Sequence, residues 1–332
     1  MSRMLHALLR TSYHAGGLPL CDVVWGGDVK ILMYHGITAT ARFSGVTNVH
    51  RYNVPVDDFR RQLEYLAAEC NVISLADMSA ARRLSRVKTN VILSFDDGYE
   101  NNYAVALPLL RRYGMPAVFA LPTAFVCGGQ PLWNDVVEYA VNHSSRETAS
   151  LPWDERRRTW SLREHCERVA FTDWLLAELV NAEQTRRDEL VRQALEALDV
   201  CAAADDMYHH DDYRPLTAAQ VAEMAASDLV EFASHSVHHY LLSRLGTGDR
   251  RAELSDSKRQ VENLTAVRCR TLTIPGGAYD AEVLHDAFAF GYERVLTSDR
   301  RRTIPGARVH GRTVVRYREP VQKFAAAVQR RH

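Results

Sequence analysis

Short apolar runs alternate along the chain with segments whose apolar residues recur at helical spacing. The apolar runs predict buried strands at residues 29–37, 71–75, 90–95, 116–122, 229–235, 270–275, 293–299 and 312–317. The periodic segments predict helices at residues 56–70, 76–84, 99–113, 216–227, 248–267, 281–291 and 321–331. Alternation of strand and helix implies a parallel sheet with helices outside it, which is an α/β fold.

The interval 126–215 interrupts this alternation. It is rich in Arg, Glu, Trp and Ala, and most of it, including 153–180 and 186–198, has helical periodicity. We interpret it as a helical insertion into one domain that spans 28–332, preceded by an N-terminal segment, 1–27. Three of its tryptophans could line a glycan groove, although core packing is the favoured interpretation: Trp133, Trp153 and Trp160.

Composition and charge exclude several classes of protein. Lys and Arg together number 41, as do Asp and Glu, so the formal charge of zero argues against a broad nucleic-acid-binding surface. The 6 cysteines form no Cys-x-x-Cys pair, which favours reduced thiols over a disulfide framework or a zinc finger.

The first twenty residues bear on cellular location. His6 and Arg10 break their longest apolar stretch, which therefore predicts neither a secretory signal nor a transmembrane span. A short docking helix is favoured over a membrane anchor. We expect a cytoplasmic protein, with peripheral contact at the inner membrane surface as the alternative.

Polar residues with catalytic chemistry follow three of the predicted strands. They are Tyr34 and His35 near the end of the first strand, the pair Asp96 and Asp97 after the strand at 90–95, and the His235-x-x-x-His239 spacing that begins at the end of the strand at 229–235. Sites in parallel sheets and barrels form where strands end and loops begin. The alternative interpretations are ordinary ones: Asp97 as a helix N-cap, the histidines as a surface cluster, and His35 as a buried histidine.

Two histidines and one carboxylate leave open coordination positions, which is the layout of a catalytic metal site. A bound metal acidifies water and polarises a carbonyl. A second carboxylate beside the ligand can then take the proton of the water, so Asp96 and Asp97 would divide the roles of base and ligand. His35 is the best candidate for protonating a leaving group.

The segments SFDDG (94–98) and HSVHH (235–239) resemble the first two motifs of the polysaccharide deacetylases, carbohydrate esterase family 4 or the NodB-homology group. The segment TLTIPGGAYDAEVL is similar to a third family segment. The resemblance covers roughly residues 28–318 apart from the insertion. It implies a distorted (β/α)7-type barrel and hydrolysis of N-acetyl, sometimes O-acetyl, groups on sugars.

The same resemblance implies a role for each matching residue. Asp96 is the general base, and Asp97, His235 and His239 hold the metal. Ser236 supports the loop by hydrogen bonding. The backbone amides after Pro275 help to hold the oxyanion, which adds Gly276 and Gly277 to the candidate site.

The opening ILMYHGI is similar to the branch of the family that acts on exopolysaccharides such as poly-N-acetylglucosamine. In that branch the histidine of the Tyr-His motif is the general acid, which implies this role for His35, with Tyr34 as a supporting residue. It replaces a late histidine of other members, and here His310, in what we predict to be a polar loop, is the weaker candidate.

Three further positions carry less weight. Gly276 stands where an aromatic residue commonly follows the proline, which can alter the sugar platform or the oxyanion geometry. Arg270 and Asp299 fall near positions that orient catalytic groups in relatives.

The sequence therefore predicts a metal-dependent deacetylase acting on an acetylated glycan or a lipid-linked sugar. Zinc suits the donor set best, and Co²⁺ or Ni²⁺ also fit. Two alternatives remain: a hydrolase of small or cyclic amides on the same fold, and an inactive glycan-binding homologue. The complete set of base, ligands and acid argues against the second alternative.

Overall fold

The structure is a computed structural model and describes residues 29–39, 46, 53–80, 82–201, 204–299, 303 and 306–330. The predicted N-terminal segment 1–27 lies outside these residues. The strands, in chain order from β1 to β13, are Val29–Tyr34, Ile37–Thr38, Val54–Pro55, Cys70–Val72, Thr89–Phe95, Ala117–Leu121, Thr148–Ala149, Trp160–Ser161, Val230–Ser234, Thr271–Thr273, Arg294–Thr297, Val309–Gly311 and Thr313–Val314.

Nine of these strands form one sheet in the order β12-β11-β10-β9-β6-β5-β1-β13, with β4 paired to β5, and every pairing in it is parallel. The strands at the two ends of this order, β12 and β13, are separated in the chain by Arg312 alone. The sheet therefore curls into a nearly closed barrel whose seam lies at Arg312. The predicted distorted barrel is confirmed.

The α-helices, α1 to α12, are Val56–Glu69, Leu75–Ser79, Leu107–Tyr113, Thr123–Gly128, Trp133–His143, His165–Asn181, Gln184–Leu198, Ala204–Met207, Ala218–Ala225, Thr247–Thr265, Ala281–Ala289 and Val321–Gln329. The predicted N-cap of α9 is confirmed, because Thr217 Oγ1 accepts a 3.2 Å hydrogen bond from Gln220 N. Gly291, with φ +82°, follows α11 in the left-handed conformation expected beyond a helix. Among the described residues, no helix combines the length and apolar character that crossing a bilayer demands.

The strands present different side chains to the two faces of the barrel wall. Ile31 of β1 and Ile92 of β5, which are register partners, belong to a small apolar cluster inside the barrel. Tyr34 faces the opposite way, into the layer of helices, where its ring stacks on Phe95 and its hydroxyl donates to Gln62. Tyr34 is thus a core residue whose side chain points away from the carboxyl-end interior where the predicted site lies.

The interval predicted to be an insertion has a hydrophobic cluster of its own, built mainly from α5, α6 and α7. The predicted helix over 153–180 is present only from His165 onwards, where α6 begins, and β7 and β8 form a short antiparallel ribbon before it. Asp154 accounts for the difference: its carboxylate accepts hydrogen bonds from the backbone of Arg156 and Arg158, which stabilises a turn in competition with a helix. The predicted core packing of Trp133, Trp153 and Trp160 is confirmed.

The region around His310 also differs from the prediction. It is strand β12 rather than a polar loop, and His310 is fully buried. Its register partner is Leu296, a residue of the cluster inside the barrel. Because β-strand partners share a face, the imidazole of His310 also points into the barrel.

Acid should therefore destabilise the protein through His310. Burial, with the charge of Arg294, lowers the pKa of His310 to about 4, whereas an unfolded histidine titrates near 6.5. A lowered folded-state pKa means that this stability is complete above pH ~6.5 and is lost as the pH falls from there towards ~4. The free energy of unfolding is measured by urea titration with a chelator present. Between pH 7 and pH 5, it should fall by about 2 kcal/mol less in His310→Leu than in the wild type.

Exposed His209 supplies the matched control for this measurement. His209→Leu should keep the pH dependence of the wild type. If the free energy of unfolding fell equally in the wild type and in His310→Leu between pH 7 and pH 5, His310 would not be held neutral by the fold.

Candidate metal centre

Asp96 and Asp97 follow β5 directly. Ile92 and Ser94 alternate with outward-facing neighbours along β5, and Asp96 continues this inward-facing row at the carboxyl end of the barrel. Its backbone N–H donates to Tyr34 O of the adjacent strand at 2.9 Å. Both aspartates are buried, at 2% and 6% exposure.

The turn behind the aspartates requires an unusual backbone. Asp97 has φ +74° and Gly98 φ +67°, so both residues are left-handed. A Cβ on Gly98 would lie 2.8 Å from Val126 Cγ2, which explains the glycine. Asp97 is therefore not a helix N-cap. A non-glycine residue held in this region costs of the order of 1–3 kcal/mol, and such strain collects at functional sites.

The histidine loop after β9 is strained in the same way. Ser236 has φ +61° and His239 φ +57°. The predicted supporting hydrogen bond is present, because Ser236 Oγ accepts from His239 N at 3.1 Å. It closes the turn that brings His239 back over His235, with 4.8 Å between the centroids of the two rings.

Glu253 of α10 anchors the outer side of this loop. Its carboxylate accepts from Val237 N at 2.8 Å and from His238 N at 3.0 Å, and it contacts His238 Nδ1 at 2.5 Å. The same contact raises the pKa of His238. His238 is thus engaged away from the two candidate ligands.

Asp97, His235 and His239 converge on one point. Asp97 Oδ1 lies 3.3 Å from His239 Nε2 and 3.5 Å from His235 Nε2, and the three candidate ligand atoms all lie within 4.8 Å of one another. Donors about 2.1 Å from a tetrahedral zinc ion are about 3.4 Å apart. Asp97 Oδ1 is buried and accepts no hydrogen bond from the described residues. An orphaned buried carboxylate oxygen between two imidazole nitrogens fits a divalent cation.

The far side of His235 is held as in metal-binding histidines. Its Nδ1 contacts Thr273 O at 3.0 Å and Thr273 Oγ1 at 2.5 Å. A partner on Nδ1 fixes the ring orientation and leaves Nε2 for a ligand bond.

The protonation states also suit a cation. Burial raises the pKa of Asp97, but the imidazole of His235, 3.5 Å from Oδ1, and the charges of His239 and His35 outweigh it, so the net pKa lies well below its usual range. Burial lowers the pKa of His239 to about 4. Asp97 is therefore ionised and His239 neutral near pH 7, and these are the forms that bind metals. At His235, burial lowers the pKa, but the carboxylates of Asp96 and Asp97 outweigh it and raise the pKa, so a cation there displaces a proton from this ring.

The most important site residue that sequence reasoning missed is Arg312. Its Nη1 donates to Asp96 Oδ1 at 2.7 Å and its Nη2 to Asp96 Oδ2 at 2.8 Å, in a bidentate pair whose side chains are only 1% and 3% exposed. Its Nε donates to Thr297 O, so the side chain crosses the seam from β11 to β5. Burial raises the pKa of Asp96, but Arg312 and His235 outweigh it and lower it.

His35 belongs to the same electrostatic cluster. It follows β1 in the inward-facing row of Ile31, and its side chain is only partly exposed. Burial lowers its pKa, while the charges of Asp96 and Asp97 act in the opposite direction. His310, the weaker candidate for the acid, lies in β12 beside Leu296 among the apolar residues inside the barrel.

The predicted oxyanion segment forms a tight turn, Pro275–Gly277. Gly276 and Gly277 have φ +61° and +72°. A Cβ on Gly276 would lie 2.4 Å from Leu241 Cδ2, so Leu241 occupies the space that a side chain there would need. Gly277 N donates to Ile274 O at 3.1 Å. That bond leaves the amide of Gly276 as the candidate oxyanion donor.

The last two predicted site residues, Asp299 and Arg270, lie in different parts of the structure. Asp299 accepts hydrogen bonds from Tyr279 OH at 2.6 Å and Thr297 Oγ1 at 3.0 Å, and with Arg312 it lines a cavity of about 470 Å³ at the seam. Arg270 precedes β10, at the opposite end of the strand from the site, and its half-exposed side chain pairs with Glu293 at 3.8 Å. The structure therefore does not bring Arg270 to the site, and Arg312 is the arginine that orients a candidate catalytic group.

Comparisons with known proteins identify the family and the fold. The family model described as polysaccharide deacetylase matches residues 85–169 and 170–295. YxkH of Bacillus subtilis (strain 168), which is assigned to the polysaccharide deacetylases by its name, is 23% identical over 283 residues, or 84% of this chain and 66% of YxkH. The chain thus spans about two thirds of the length of that relative.

Two solved structures share the fold. Deacetylase PplD of Streptococcus pyogenes, in complex with acetate, superposes with a TM-score of 0.56 at 17% identity, over 92% of this chain and 100% of PplD. IcaB from Ammonifex degensii superposes with a TM-score of 0.56 at 17% identity, over 92% of this chain and 98% of IcaB.

Proposed function

Because the chain belongs to the polysaccharide deacetylase family, we propose that it is a metal-dependent hydrolase that removes acetyl groups, N-acetyl foremost, from an amino-sugar-containing glycan. The observation that carries the proposal is the convergence of Asp97, His235 and His239, with Asp96 held ionised beside them by Arg312. A pure binding protein would not need a buried base next to a metal triad.

The residues of this chain divide the chemistry between them. A divalent cation held by Asp97, His235 and His239 supplies Lewis acidity at the acetyl carbonyl and acidifies water when bound. Asp96 accepts the proton of the attacking water, and Arg312 keeps the Asp96 carboxylate ionised and aimed into the barrel.

Two further groups complete the reaction. The amide of Gly276 donates to the oxygen that becomes negative in the tetrahedral intermediate. His35 donates a proton to the departing amine, since it stands on the inward-facing row of β1 within the field of both aspartates.

The identities of metal and substrate are part of the same proposal. Two imidazoles and one carboxylate suit Zn²⁺, with Co²⁺ and Ni²⁺ as alternatives. An acetylated glycan or a lipid-linked sugar is the expected substrate, and the acetate in the PplD complex supports an acetyl group as the part removed. We propose a cytoplasmic location, with peripheral contact at the inner membrane surface as the alternative, and this stays a prediction.

Acetate release tests this proposal. The purified, metal-stripped protein is incubated with N-acetylglucosamine oligomers, with and without added Zn²⁺ or Co²⁺, and in parallel with a cyclic ureide. Metal-dependent acetate release from the oligomers supports the deacetylase. Hydrolysis of the ureide alone favours an amide hydrolase on the same fold, and no turnover of any substrate by metal-loaded protein favours a binding protein.

Replacing Arg312 with lysine should impair the base without removing it. A single ammonium cannot reproduce the bidentate pair, so kcat/KM should fall roughly 10- to 100-fold, as for other residues that orient a metal site. Arg312 lowers the pKa of Asp96. Its replacement should therefore raise that pKa and move the acid limb of the pH–rate profile to higher pH.

The matched control is Arg268→Lys, because Arg268 is 60% exposed and pairs with Glu293 at 3.7 Å. This variant should keep the profile of the wild type. An unchanged acid limb in Arg312→Lys would show that Asp96 is not the group that titrates there.

A further inference from the structure

The insertion contacts the aspartate loop through one buried carboxyl group. Asp135, in the first turn of α5, is 8% exposed, and its carboxylate accepts from Tyr99 OH at 3.0 and 3.2 Å and from Asn134 Nδ2 at 3.0 Å. None of these partners is a cation. Tyr99 lies two residues after the candidate ligand Asp97 and is itself 5% exposed. The Asp135 carboxyl therefore fixes the end of the turn that carries Asp97.

The insertion contacts the histidine loop through one buried guanidinium. Arg187 of α7 is 1% exposed and donates to Leu179 O at 2.9 Å and to Ala182 O at 3.1 Å, both beyond or near the end of α6. Its Cζ lies 5.0 Å from the ring centroid of Trp133 and 6.0 Å from that of Tyr240. Tyr240 directly follows the candidate ligand His239.

Tyr240 links Arg187 of the insertion to the histidine loop. Its ring is buried and stacks on His238, with 5.2 Å between centroids and 22° between planes. It is held from one side by the insertion and from the other by His238, which Glu253 fixes. The position of Tyr240 therefore limits the conformations open to His239.

We propose that the helical insertion positions the metal ligands, with Asp135 acting through Tyr99 on Asp97 and Arg187 acting through Tyr240 on His239. Both ligands occupy the left-handed backbone region, at φ +74° and +57°. Such conformations persist only where the surroundings over-determine them. At both ligands, those surroundings include a buried polar side chain of the insertion, so the barrel alone does not fix the ligand atoms.

This inference rests on the metal role proposed for Asp97, His235 and His239, and the test separates the two. The dissociation constant for Zn²⁺ is measured on the full chain by competition with a chelating indicator. Tyr99→Phe and Arg187→Gln should each weaken binding by roughly 10- to 100-fold, the range for residues that hold metal ligands. With excess Zn²⁺, kcat should fall while KM changes little.

Matched controls remove the same groups elsewhere. Tyr103→Phe loses a hydroxyl, four residues after Tyr99, that donates to exposed Glu223 of α9. Arg192→Gln removes an exposed arginine of α7. Both should bind Zn²⁺ within about two-fold of the wild type. Asp135→Asn keeps oxygen and shape for Tyr99 and should retain most of the affinity, whereas Asp135→Ala should lose it.

The outcomes are distinct. A wild-type chain that binds no Zn²⁺ overturns the proposed function, and the positioning role with it. Tight wild-type binding together with unchanged affinity in Tyr99→Phe and Arg187→Gln overturns the positioning role alone. If Arg187→Gln does not fold, Tyr99→Phe, which removes one buried hydroxyl, decides the matter, with thermal unfolding confirming that it is folded.

Discussion

Asp96→Asn should abolish most turnover while leaving the metal in place. The amide has nearly the shape of the carboxylate but cannot take a proton from water, and loss of a general base lowers kcat by roughly 10²- to 10⁴-fold. Asp97, His235 and His239 are untouched, so metal content should stay near that of the wild type. Arg312 loses its charge partner, so a modest fall in stability should accompany the loss of rate.

Acetate release and metal analysis on the same preparation check this result. The control is Asp256→Asn, since Asp256 is a half-exposed partner of Arg259 on α10, and it should retain full activity. Loss of metal from Asp96→Asn would reverse the assignment, with Asp96 as the ligand and Asp97 as the base.

The sequence predicted the site best where candidate ligands stand directly at the end of a buried strand. Asp96 and Asp97 stand directly after a buried strand, and the four-residue spacing of His235 and His239 follows another. Parallel strands bring their carboxyl ends to the same edge, so these residues meet in the structure as the pattern predicts. The assignment of base and ligand came from the family resemblance, because adjacency alone left both aspartates eligible.

Arg312 could not be predicted from the sequence as a site residue, for a physical reason. In the sequence it is the first residue of the last predicted strand, 312–317, and not a residue after a strand. It reaches the site only because its long side chain crosses the seam to Asp96. Arg270 looked equivalent in sequence but precedes a strand whose other end carries the site. Residue spacing along the chain does not indicate where a barrel closes, and here that closure decides which arginine meets the base.

Side-chain direction explains the other differences. Tyr34 and His35 are neighbours, so they point to opposite faces of the barrel wall, and only His35 shares the inner face with Asp96. His310 lies on an inner face as well, but its register with Leu296 places it among the apolar residues of the barrel. A polar residue in a short strand is indistinguishable from a loop residue until its pairing is known.

Asp97→Ala or His235→Ala should remove the metal itself, and activity with it. Each change leaves two of three protein ligands, so Zn²⁺ affinity should fall by more than the roughly 100-fold that loss of an outer partner causes. A ligand that binds only the native state raises its stability. Zn²⁺ should therefore raise the Tm of the wild type and of Asp96→Asn, but leave that of the two ligand variants nearly unchanged.

The backbone at Asp97 requires a second variant. Alanine tolerates φ +74° less well than aspartate, so Asp97→Ala combines strain with loss of a ligand, whereas asparagine occupies this region readily. Asp97→Asn removes the charge and keeps the turn, and it should also bind Zn²⁺ weakly. Exposed His209→Ala should respond to Zn²⁺ like the wild type. A Zn²⁺-dependent rise in Tm in His235→Ala equal to that of the wild type would place the metal elsewhere, and with it the chemistry assigned to this cluster.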